Sequence, residues 1–312
     1  MLFRTTRSFG KTCSVATAAV AVAVGILWTT GTPPAEAAPA NCPELNVIAV
    51  PGTWETSRDE HSQGMLALVT RGLPGSVRTD YVSYVATALP WEGEVYGYSK
   101  REAVTNLRGM ISAMSSRCPA TRFALVGYSQ GADAAGDVAA EIGTGLGVVP
   151  PDRVAAMGLL ADPRRSRTDA LVGPPVPGAG AGGARLGGFG LLSPKVRTFC
   201  AEGDLYCSVP NDDLAGRFAG LFTQASAMDP LQVGSYVLTL QSITAEALFP
   251  GINAILAAPP DDPASEQWAR QVQEFIISGA HQSYPRYVVD ANGTTATAWL
   301  HNWLVDVANQ GA

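Results

Sequence analysis

The segment Gly127-Tyr-Ser-Gln-Gly131 places one serine between two glycines, behind the apolar run 122–126 and ahead of an alanine-rich stretch. A serine hydroxyl becomes a strong nucleophile only when a neighbouring base takes its proton and a third group orients that base. A strand followed by Gly-x-Ser-x-Gly and a helix is typical of a nucleophile elbow. The glycines permit the sharp turn, and the helix N-terminus faces the developing oxyanion. The segment therefore predicts that Ser129 is a catalytic nucleophile.

Three histidines are available as the base. His61 precedes the serine, contrary to the order Ser, acid, His that accompanies a nucleophile elbow, and it lies in a segment with a helical pattern. His301 lies in the helix-like stretch 297–308, where a histidine on a helix surface is the simpler interpretation. His281 follows the serine and lies in a predicted loop behind the helix-like stretch 266–277, so it is the favoured base.

The acid that would orient the histidine is predicted to be Asp204. This residue lies between Cys200 and Cys207, and a disulfide across so short a loop would fix its carboxylate rigidly. A fixed carboxylate suits a group that holds an imidazole in one tautomer. Asp162 is the alternative, although an aspartate before a proline is typical of a turn. Glu202, on the same loop as Asp204, is a second alternative.

Five apolar segments that could position these residues are predicted to be strands. They are 46–50, 81–85, 123–126, 154–161 and 196–200. Helical patterns at 57–73, 99–116 and 132–142 lie between them. Strands that alternate with helices predict an α/β fold with a mostly parallel five-stranded sheet covered on both faces. Gly52, Ser129, Asp162 and Asp204 each follow a predicted strand, so they are expected at the carboxyl edge of the sheet, where such folds bind ligands.

Two segments interrupt this alternation. Residues 173–190 are rich in glycine and proline and are predicted to be a loop. Their Gly178-x-Gly180-x-x-Gly183 match follows no strand and opens no helix, so a dinucleotide site is not expected there. Residues 208–280 contain helix-compatible apolar stretches and are predicted to form a helical insertion, or cap, between the acid and the base.

The first forty residues are predicted to be an export signal. Three basic residues precede an apolar stretch of about fifteen residues, and Ala35-Glu-Ala37 resembles a signal peptidase site. Residues 1–37 would then be removed, and residues 42–312 would form one domain in the periplasm, the cell wall or the medium. The alternative is an uncleaved anchor. Removing a leader with three basic residues and one acidic residue takes the formal net charge from −6 to −8, which argues against a nucleic-acid partner.

Four cysteines remain after the leader: Cys42, Cys118, Cys200 and Cys207. An even number in an exported chain predicts two disulfides, and four cysteines allow three pairings. A zinc site is the competing interpretation. It is disfavoured because the spacings do not match the usual zinc ligand pairs and no histidine lies near these cysteines.

Taken together, the motifs resemble the cutinase family of serine esterases, in particular the exported cutinase-like proteins of mycolate-containing actinobacteria. The resemblance covers about residues 42–207 and the histidine loop. It rests on Val50-Pro-Gly-Thr-x-Glu55, Cys118, Gly127-Tyr-Ser-Gln-Gly131, Ala161-Asp-Pro163, Cys200-x-x-x-Asp204-x-x-Cys207 and His281. It implies a three-layer α/β-hydrolase fold with Ser129 as nucleophile, His281 as base and Asp204 as orienting acid.

The resemblance also implies an oxyanion hole and a disulfide pairing. The oxyanion hole would consist of the Thr53 hydroxyl and N–H together with the Gln130 N–H. The disulfides would be Cys42–Cys118 and Cys200–Cys207. The chain departs from the family in two places: Pro51-Gly-Thr-Trp54 replaces the Arg-Gly-Ser-Thr of fungal cutinases, and 77 residues separate the acid from the base, more than in small cutinases.

The function expected from these features is hydrolysis of acyl esters of lipids by an exported serine esterase without a metal or cofactor. A lipase, a phospholipase A or a thioesterase that acts on lipids of a mycolate-containing envelope would fit. Two other classes stay open at this point. An acyltransferase would use the same triad with a sugar hydroxyl in place of water, and a non-catalytic lipid-binding protein would keep the fold without turnover.

Overall fold

A computed structural model describes residues 42–210, 220, 270 and 277–310. Its centre is a sheet of five parallel strands in the order β2-β1-β3-β4-β5. The strands are β1 (Leu45–Val50), β2 (Val77–Tyr81), β3 (Arg122–Tyr128), β4 (Val154–Leu160) and β5 (Val196–Phe199). Apart from Asn46 in β1 and Arg122 at the start of β3, neither strand contains an amide or charged side chain, because the inner strands of a parallel sheet are buried on both faces.

Four α-helices flank the sheet within the described residues: α1 (Ala67–Thr70), α2 (Tyr96–Arg117), α3 (Gln130–Gly143) and α4 (Ala296–Asn309). Successive residues of a strand point to opposite faces, so β1 contributes to two cores. Ile48 packs with residues of α2 and α3 on one face. Val47 packs with residues of α1 and α4 on the other face. The molecule therefore has three layers, and the predicted α/β-hydrolase fold is confirmed.

The prediction of a helix over 57–73 is wrong for most of that segment, which contains one 3-10 turn (Gly64–Leu66) followed by the short α1. Gly64 has φ of +52°, which an α-helix cannot accommodate, and an added Cβ there would lie 2.4 Å from a Glu55 carboxylate oxygen. His61 therefore lies outside any helix, and its Nδ1 is hydrogen-bonded to the Ser83 hydroxyl.

The prediction of a strand over 81–85 is also wrong, because β2 occupies Val77–Tyr81 and the pairing with β1 ends at Ala49 opposite Tyr81. Pro51 follows directly after β1 and has no N–H to continue the ladder. The alternation that suggested a strand reflects burial instead, since Val82 and Tyr84 are fully buried. The Val82 N–H still donates to the Ala49 carbonyl of β1 at 2.8 Å, but the residues after Tyr81 are no longer part of the strand.

Some of the remaining predictions concern described residues, and the others concern residues that the structure does not describe. Residues 173–189 form neither helix nor strand, as predicted. Both disulfides are present: Cys42–Cys118 joins the start of β1 to the end of α2, and Cys200–Cys207 closes the loop after β5. The predicted leader (1–37) and almost all of the predicted insertion (208–280) lie outside the described residues. Within the described ranges, no helix is long and apolar enough to cross a membrane.

Candidate active site

Ser129 lies at the turn between β3 and α3 in a conformation that few residues adopt, with φ of +56° and ψ of −124°. The two glycines of the motif make this turn possible. A Cβ on Gly131 would lie 2.0 Å from the Val50 carbonyl oxygen, and one on Gly127 would lie 2.5 Å from the Gly131 carbonyl oxygen. The Ser129 N–H donates to the Leu160 carbonyl at 3.0 Å. Strain of this kind at a single serine is typical of a nucleophile elbow.

The structure brings together the three residues that the sequence predicts as a triad. His281 Nε2 lies 2.8 Å from Ser129 Oγ. Its Nδ1 lies 3.0 and 3.1 Å from the two carboxylate oxygens of Asp204. Because an ionised carboxylate only accepts hydrogen bonds, it favours the tautomer that carries the proton on Nδ1. The lone pair of Nε2 then faces the serine proton, which is the arrangement that general-base catalysis requires.

Asp204 is fully buried, and its carboxylate is held by donors from three directions. Oδ1 accepts the Tyr206 N–H at 3.0 Å, and Oδ2 accepts the Tyr284 hydroxyl at 2.7 Å. Burial raises the pKa of Tyr284 well above its ordinary value, so this hydroxyl remains a donor. A buried carboxylate is tolerable only when it is paired and hydrogen-bonded. With His281 as the third partner, Asp204 meets that condition.

The imidazole of His281 is fixed by its backbone and by two aromatic rings. His281 lies in a 3-10 turn (Ala280–Gln282) that follows Gly279, whose φ of +61° suits glycine. The Tyr128 hydroxyl donates to the His281 carbonyl at 2.7 Å. The ring centroids of Tyr128 and Tyr206 lie 5.3 and 5.0 Å from that of the imidazole. The ring can therefore rotate little away from Ser129.

The predicted oxyanion residues lie on either side of the nucleophile. Gln130 is the first residue of α3, and the N–H groups of the first helical turn have no partner within the helix. A Cβ on Gly52 would lie 3.2 Å from the Ser129 Cβ, so the loop that carries Thr53 passes directly beside the serine. The Thr53 hydroxyl lies 3.4 Å from Gln130 Oε1. Gln130 Nε2 donates to the Thr87 carbonyl at 3.0 Å and so fixes this side chain.

Glu55 organises the Thr53 loop, a role that the sequence did not indicate beyond its place in the motif. One carboxylate oxygen accepts the Gly52 N–H at 2.8 Å, and the other accepts the Met65 N–H at 2.8 Å. Burial raises the pKa of Glu55 above its ordinary value, while these two hydrogen bonds and the proximity of His281 oppose the shift. Glu55 therefore holds the backbone next to Ser129 and adds negative potential near the imidazole.

The two alternative acids lie elsewhere. Asp162 is fully buried and ion-paired with Arg185 at 2.7 Å. It belongs to a buried network in which Asp137 pairs with Arg164 at 3.1 Å and with Arg185 at 2.9 Å. Lys100, 3.1 Å from Asp137, and the two arginines hold the pKa of Asp137 far below its usual range despite its burial. Glu202 is exposed on the disulfide loop. The described hydrogen bonds of the His281 ring go to Asp204 and Ser129, and none of them involves Asp162 or Glu202.

The sequence did not predict that two tyrosines would lie at the site. Tyr284 follows His281 by three residues, so one turn places both side chains against Asp204; this spacing is the only local signal. Tyr206 lies inside the Cys200–Cys207 loop and packs its ring edge-on against the imidazole. His301 lies on α4, and its Nδ1 is 2.9 Å from the Val69 carbonyl oxygen. Its described hydrogen bond is therefore to α1 and not to Ser129.

The chain is similar to several known proteins. A family profile described as Cutinase matches residues 41–225. The chain is 33% identical over 207 residues to the Carboxylesterase Culp6 homolog of Corynebacterium glutamicum. This match covers 54% of the present chain and 66% of the relative, so it spans slightly under two thirds of the relative's length. It is 29% identical over 222 residues to Phospholipase Culp4 of Mycobacterium tuberculosis, covering 68% of this chain and 88% of the relative. Lysin B from Mycobacteriophage D29 is 20% identical with a TM-score of 0.49, covering 86% of this chain and 100% of that structure's chain.

The Cutinase profile spans more than half of the chain. It includes the Thr53 loop, the elbow that carries Ser129, and Asp204, whereas His281 lies beyond the matched residues. Because of the extent of this match, the chain belongs to the cutinase family, a family of serine carboxylic ester hydrolases.

Proposed function

We propose that this chain is an exported serine esterase that hydrolyses acyl esters of lipids, with Ser129 as nucleophile, His281 as general base and Asp204 as the orienting acid. The observation that carries the proposal is the 2.8 Å separation of Ser129 Oγ and His281 Nε2, with the opposite ring nitrogen on a buried carboxylate. This arrangement lets a neutral serine lose its proton at the moment of attack.

Acylation follows from these positions. Ser129 Oγ attacks the carbonyl carbon of the ester while its proton moves to His281 Nε2. Asp204 stabilises the imidazolium that forms. The oxyanion is directed to the Gln130 N–H and the Thr53 loop, where donors at a helix N-terminus stabilise developing negative charge. The intermediate then collapses: the bond to the alcohol oxygen breaks, and the imidazolium returns its proton to that oxygen.

Deacylation repeats the same steps with water as the nucleophile. His281 takes one proton from the water, the hydroxide oxygen bonds to the acyl carbon, and Ser129 Oγ leaves with the proton from the imidazolium. The products are a free carboxylic acid and the regenerated serine. All groups required for both half-reactions are protein side chains or backbone N–H groups.

A lipid substrate is supported by the surface beside the site and by the relatives. Trp54, which directly follows Thr53, is 68% exposed, and Trp91 is 79% exposed. The Trp54 indole N–H donates to the Glu92 carboxylate, which links the two aromatic segments. Exposed tryptophans on the Thr53 loop and on the segment bonded to it suit substrates with apolar chains. One relative is named a carboxylesterase and the other a phospholipase.

Export to the cell envelope is supported by the leader pattern at residues 1–37 and by the two disulfides, because disulfides persist in oxidising compartments. The two relatives come from Corynebacterium and Mycobacterium. We therefore place the substrate among envelope lipids of mycolate-containing bacteria, in agreement with the resemblance of the motifs.

A fluorophosphonate probe and a series of p-nitrophenyl esters test the proposal. Purified residues 38–312 should be labelled on Ser129 and should hydrolyse esters of long acyl chains. The Ser129→Ala variant should lose both properties while keeping its melting temperature. Labelling that persists in Ser129→Ala would remove the assignment of the nucleophile. Activity that is confined to the shortest acyl chains would remove the lipid substrate but leave the triad.

A further inference from the structure

The side-chain amide of Gln130 is fully buried and is hydrogen-bonded through both of its ends. Nε2 donates to the Thr87 carbonyl oxygen at 3.0 Å and to the Tyr96 carbonyl oxygen at 3.3 Å. Oε1 accepts the Ser99 hydroxyl at 3.1 Å and the Thr53 hydroxyl at 3.4 Å. Because a backbone carbonyl oxygen only accepts hydrogen bonds, the two carbonyls fix which end of the amide carries the N–H groups. Oε1 is therefore the acceptor for both hydroxyls.

The Ser99 hydroxyl has one direction in which it can donate. Ser99 is fully buried on α2, and its oxygen accepts the Thr87 N–H at 3.1 Å. Gln130 Oε1 carries no proton, so the Ser99 hydroxyl supplies the proton of the hydrogen bond between them. Oε1 therefore has a donor that comes from α2 and does not depend on the Thr53 loop.

The Thr53 hydroxyl is held more loosely at the same acceptor. Its separation of 3.4 Å from Oε1 exceeds the range of roughly 2.5–3.0 Å that is usual between two oxygens in a hydrogen bond. The loop that carries Thr53 passes beside Ser129, since a Cβ on Gly52 would lie 3.2 Å from the Ser129 Cβ. If the Thr53 hydroxyl turns away, Oε1 keeps the hydrogen bond from Ser99. The penalty for leaving a buried acceptor without a donor is therefore avoided.

We propose that Ser99 is a positioning residue of the oxyanion hole, whose hydrogen bond to Gln130 leaves the Thr53 hydroxyl able to donate to the oxyanion. Before attack, Thr53 donates weakly to Oε1. When the tetrahedral intermediate forms, the Thr53 hydroxyl turns to the oxyanion beside the Gln130 N–H, and Ser99 continues to satisfy Oε1. Only hydrogen bonds change, and no proton is transferred. This inference rests on the proposed function, in which the oxyanion is directed to the Thr53 loop.

Two substitutions of Thr53 test whether its hydroxyl acts on the oxyanion. Thr53→Val deletes the hydroxyl and keeps the branched shape and the backbone N–H, whereas Thr53→Ser keeps the hydroxyl. A hydrogen bond that forms only in the transition state changes kcat and not substrate affinity. We expect kcat of Thr53→Val for a p-nitrophenyl ester to fall about 100-fold, with KM within about twofold of wild type. Thr53→Ser should keep kcat within about threefold of wild type, because the donor is retained.

Ser99→Ala tests the positioning role. Among the contacts described for Oε1, Thr53 is then the remaining donor, so turning its hydroxyl to the oxyanion leaves a buried acceptor unsatisfied. We expect kcat to fall about fivefold, with KM within about twofold of wild type. In the Thr53→Val background, Ser99→Ala should cause no further loss of kcat, because Ser99 acts through the Thr53 hydroxyl. General damage to the site would instead lower kcat equally in both backgrounds.

Two further variants complete the comparison. Ser99→Cys replaces the hydroxyl by a weak donor, so its kcat should lie between those of wild type and Ser99→Ala. If Ser99→Ala does not fold, Ser99→Cys is compared in the two backgrounds in its place. Thr121→Val is the matched control: Thr121 is fully buried before β3, and its hydroxyl donates to the Pro43 carbonyl at 2.6 Å. This control should lower the melting temperature and leave kcat unchanged.

Three outcomes overturn the inference. Unchanged kcat in Thr53→Val would mean that its hydroxyl does not act on the oxyanion. Unchanged kcat in Ser99→Ala, or a loss that persists in the Thr53→Val background, would mean that Ser99 does not act through Thr53. Ser129→Ala separates these results from failure of the proposed function. If it retains esterase activity, the triad itself is wrong, whereas an inactive Ser129→Ala beside a fully active Ser99→Ala rejects only the role of Ser99.

Discussion

The Tyr284 hydroxyl donates a 2.7 Å hydrogen bond to Oδ2 of Asp204 and accepts the Ala201 N–H at 3.2 Å. It therefore connects the turn that carries His281 to the end of β5, where the disulfide loop begins. The acid and the base of the proposed triad are separated by 77 residues in the sequence. This one hydroxyl joins the two segments directly behind the reacting groups.

Tyr284→Phe should consequently weaken both catalysis and stability. Asp204 keeps the Tyr206 N–H but loses a donor, so its negative charge is less stabilised and it favours the imidazolium form of His281 more strongly. We expect kcat/KM to fall about tenfold and the lower limb of the pH profile to move to higher pH, because the base must be neutral to act. The unfolding free energy should fall by about 1–3 kcal/mol, since the Ala201 N–H loses its buried acceptor.

The measurements are a pH series of kcat/KM and urea denaturation of the same variant. Tyr98→Phe, at a half-exposed tyrosine of α2, serves as the control for removal of a tyrosine hydroxyl. A Tyr284→Phe profile that superimposes on wild type would mean that Asp204 orients His281 without help from this bond.

An added methyl group should have opposite effects on stability at Gly131 of the elbow and at Gly109 in the middle of α2. In Gly131→Ala the new Cβ would meet the carbonyl oxygens of Val50 and Pro51 at 2.0 and 2.4 Å. Backbone atoms of a central strand cannot move aside cheaply, so this variant should lose esterase activity and unfold at a markedly lower temperature. Gly109→Ala meets no atom within 4 Å. It should stabilise the protein by about 0.5–1 kcal/mol, because alanine favours a helix over glycine.

Thermal unfolding and esterase assays on Gly131→Ala and Gly109→Ala test these two opposite expectations. Equal melting temperatures for Gly131→Ala and wild type would show that α3 can move away from β1 at little cost. Destabilisation by Gly109→Ala would contradict the expected gain from helix propensity.

Much of the fold was predictable because the inner strands of a parallel sheet are buried on both faces and so form short apolar runs in the sequence. The run predicted as a strand at 154–161 corresponds to β4 (Val154–Leu160), and the run at 196–200 to β5 (Val196–Phe199). The failure at 81–85 has a physical cause. Alternating apolar residues report which side chains are buried, as Val82 and Tyr84 are, but they do not report where the pairing with a neighbouring strand ends; here the register with β1 ends at Tyr81.

The three proposed catalytic residues were predictable from residue type, chain order and local context. Ser129 lies in a recognisable turn, His281 was selected by elimination among three histidines, and Asp204 lies between two cysteines. Tyr206 and Tyr284 were not predictable, because what matters in them is a contact across the fold. The Tyr284 hydroxyl bonds to a carboxylate 80 residues away, and the three-residue spacing from His281 does not by itself indicate that contact.

The two disulfides should separate stability from activity. In the chain-entropy view, a disulfide stabilises more when it closes a longer loop. Cys42–Cys118 spans 76 residues and lies at the edge of the sheet remote from Ser129, so Cys42→Ala/Cys118→Ala should lose about 4 kcal/mol while retaining most of its kcat. Cys200–Cys207 spans only 7 residues but encloses Asp204. Its double alanine variant should lose about 2–3 kcal/mol and a larger share of kcat.

Assays at 20 °C and thermal unfolding of both double variants give the comparison. Each variant is also measured in the reducing agent that abolishes the other disulfide, which controls for effects of substitution itself. A larger loss of kcat in Cys42→Ala/Cys118→Ala than in the other pair would show that Asp204 does not depend on its disulfide for position.

Glu55 should make stability depend on pH in a direction opposite to that of most carboxylates. Its pKa in the folded protein is raised above the ordinary value of 4.5 by burial. A group whose folded pKa exceeds its unfolded pKa binds more protons in the native state, so it contributes stability at low pH and loses that contribution as the pH rises through the folded pKa. The unfolding free energy of wild type minus that of Glu55→Gln should therefore decrease as the pH increases above 4.5. Denaturation of both proteins in a pH series measures this difference and cancels the titration of every other group. Asp59→Asn, at an exposed position close to Glu55 in the sequence, is the matched control for removal of a carboxylate. A difference that instead grows with pH would mean that the hydrogen bonds from Gly52 and Met65 outweigh burial, and that the Thr53 loop is held by an ionised carboxylate at every pH at which the enzyme works.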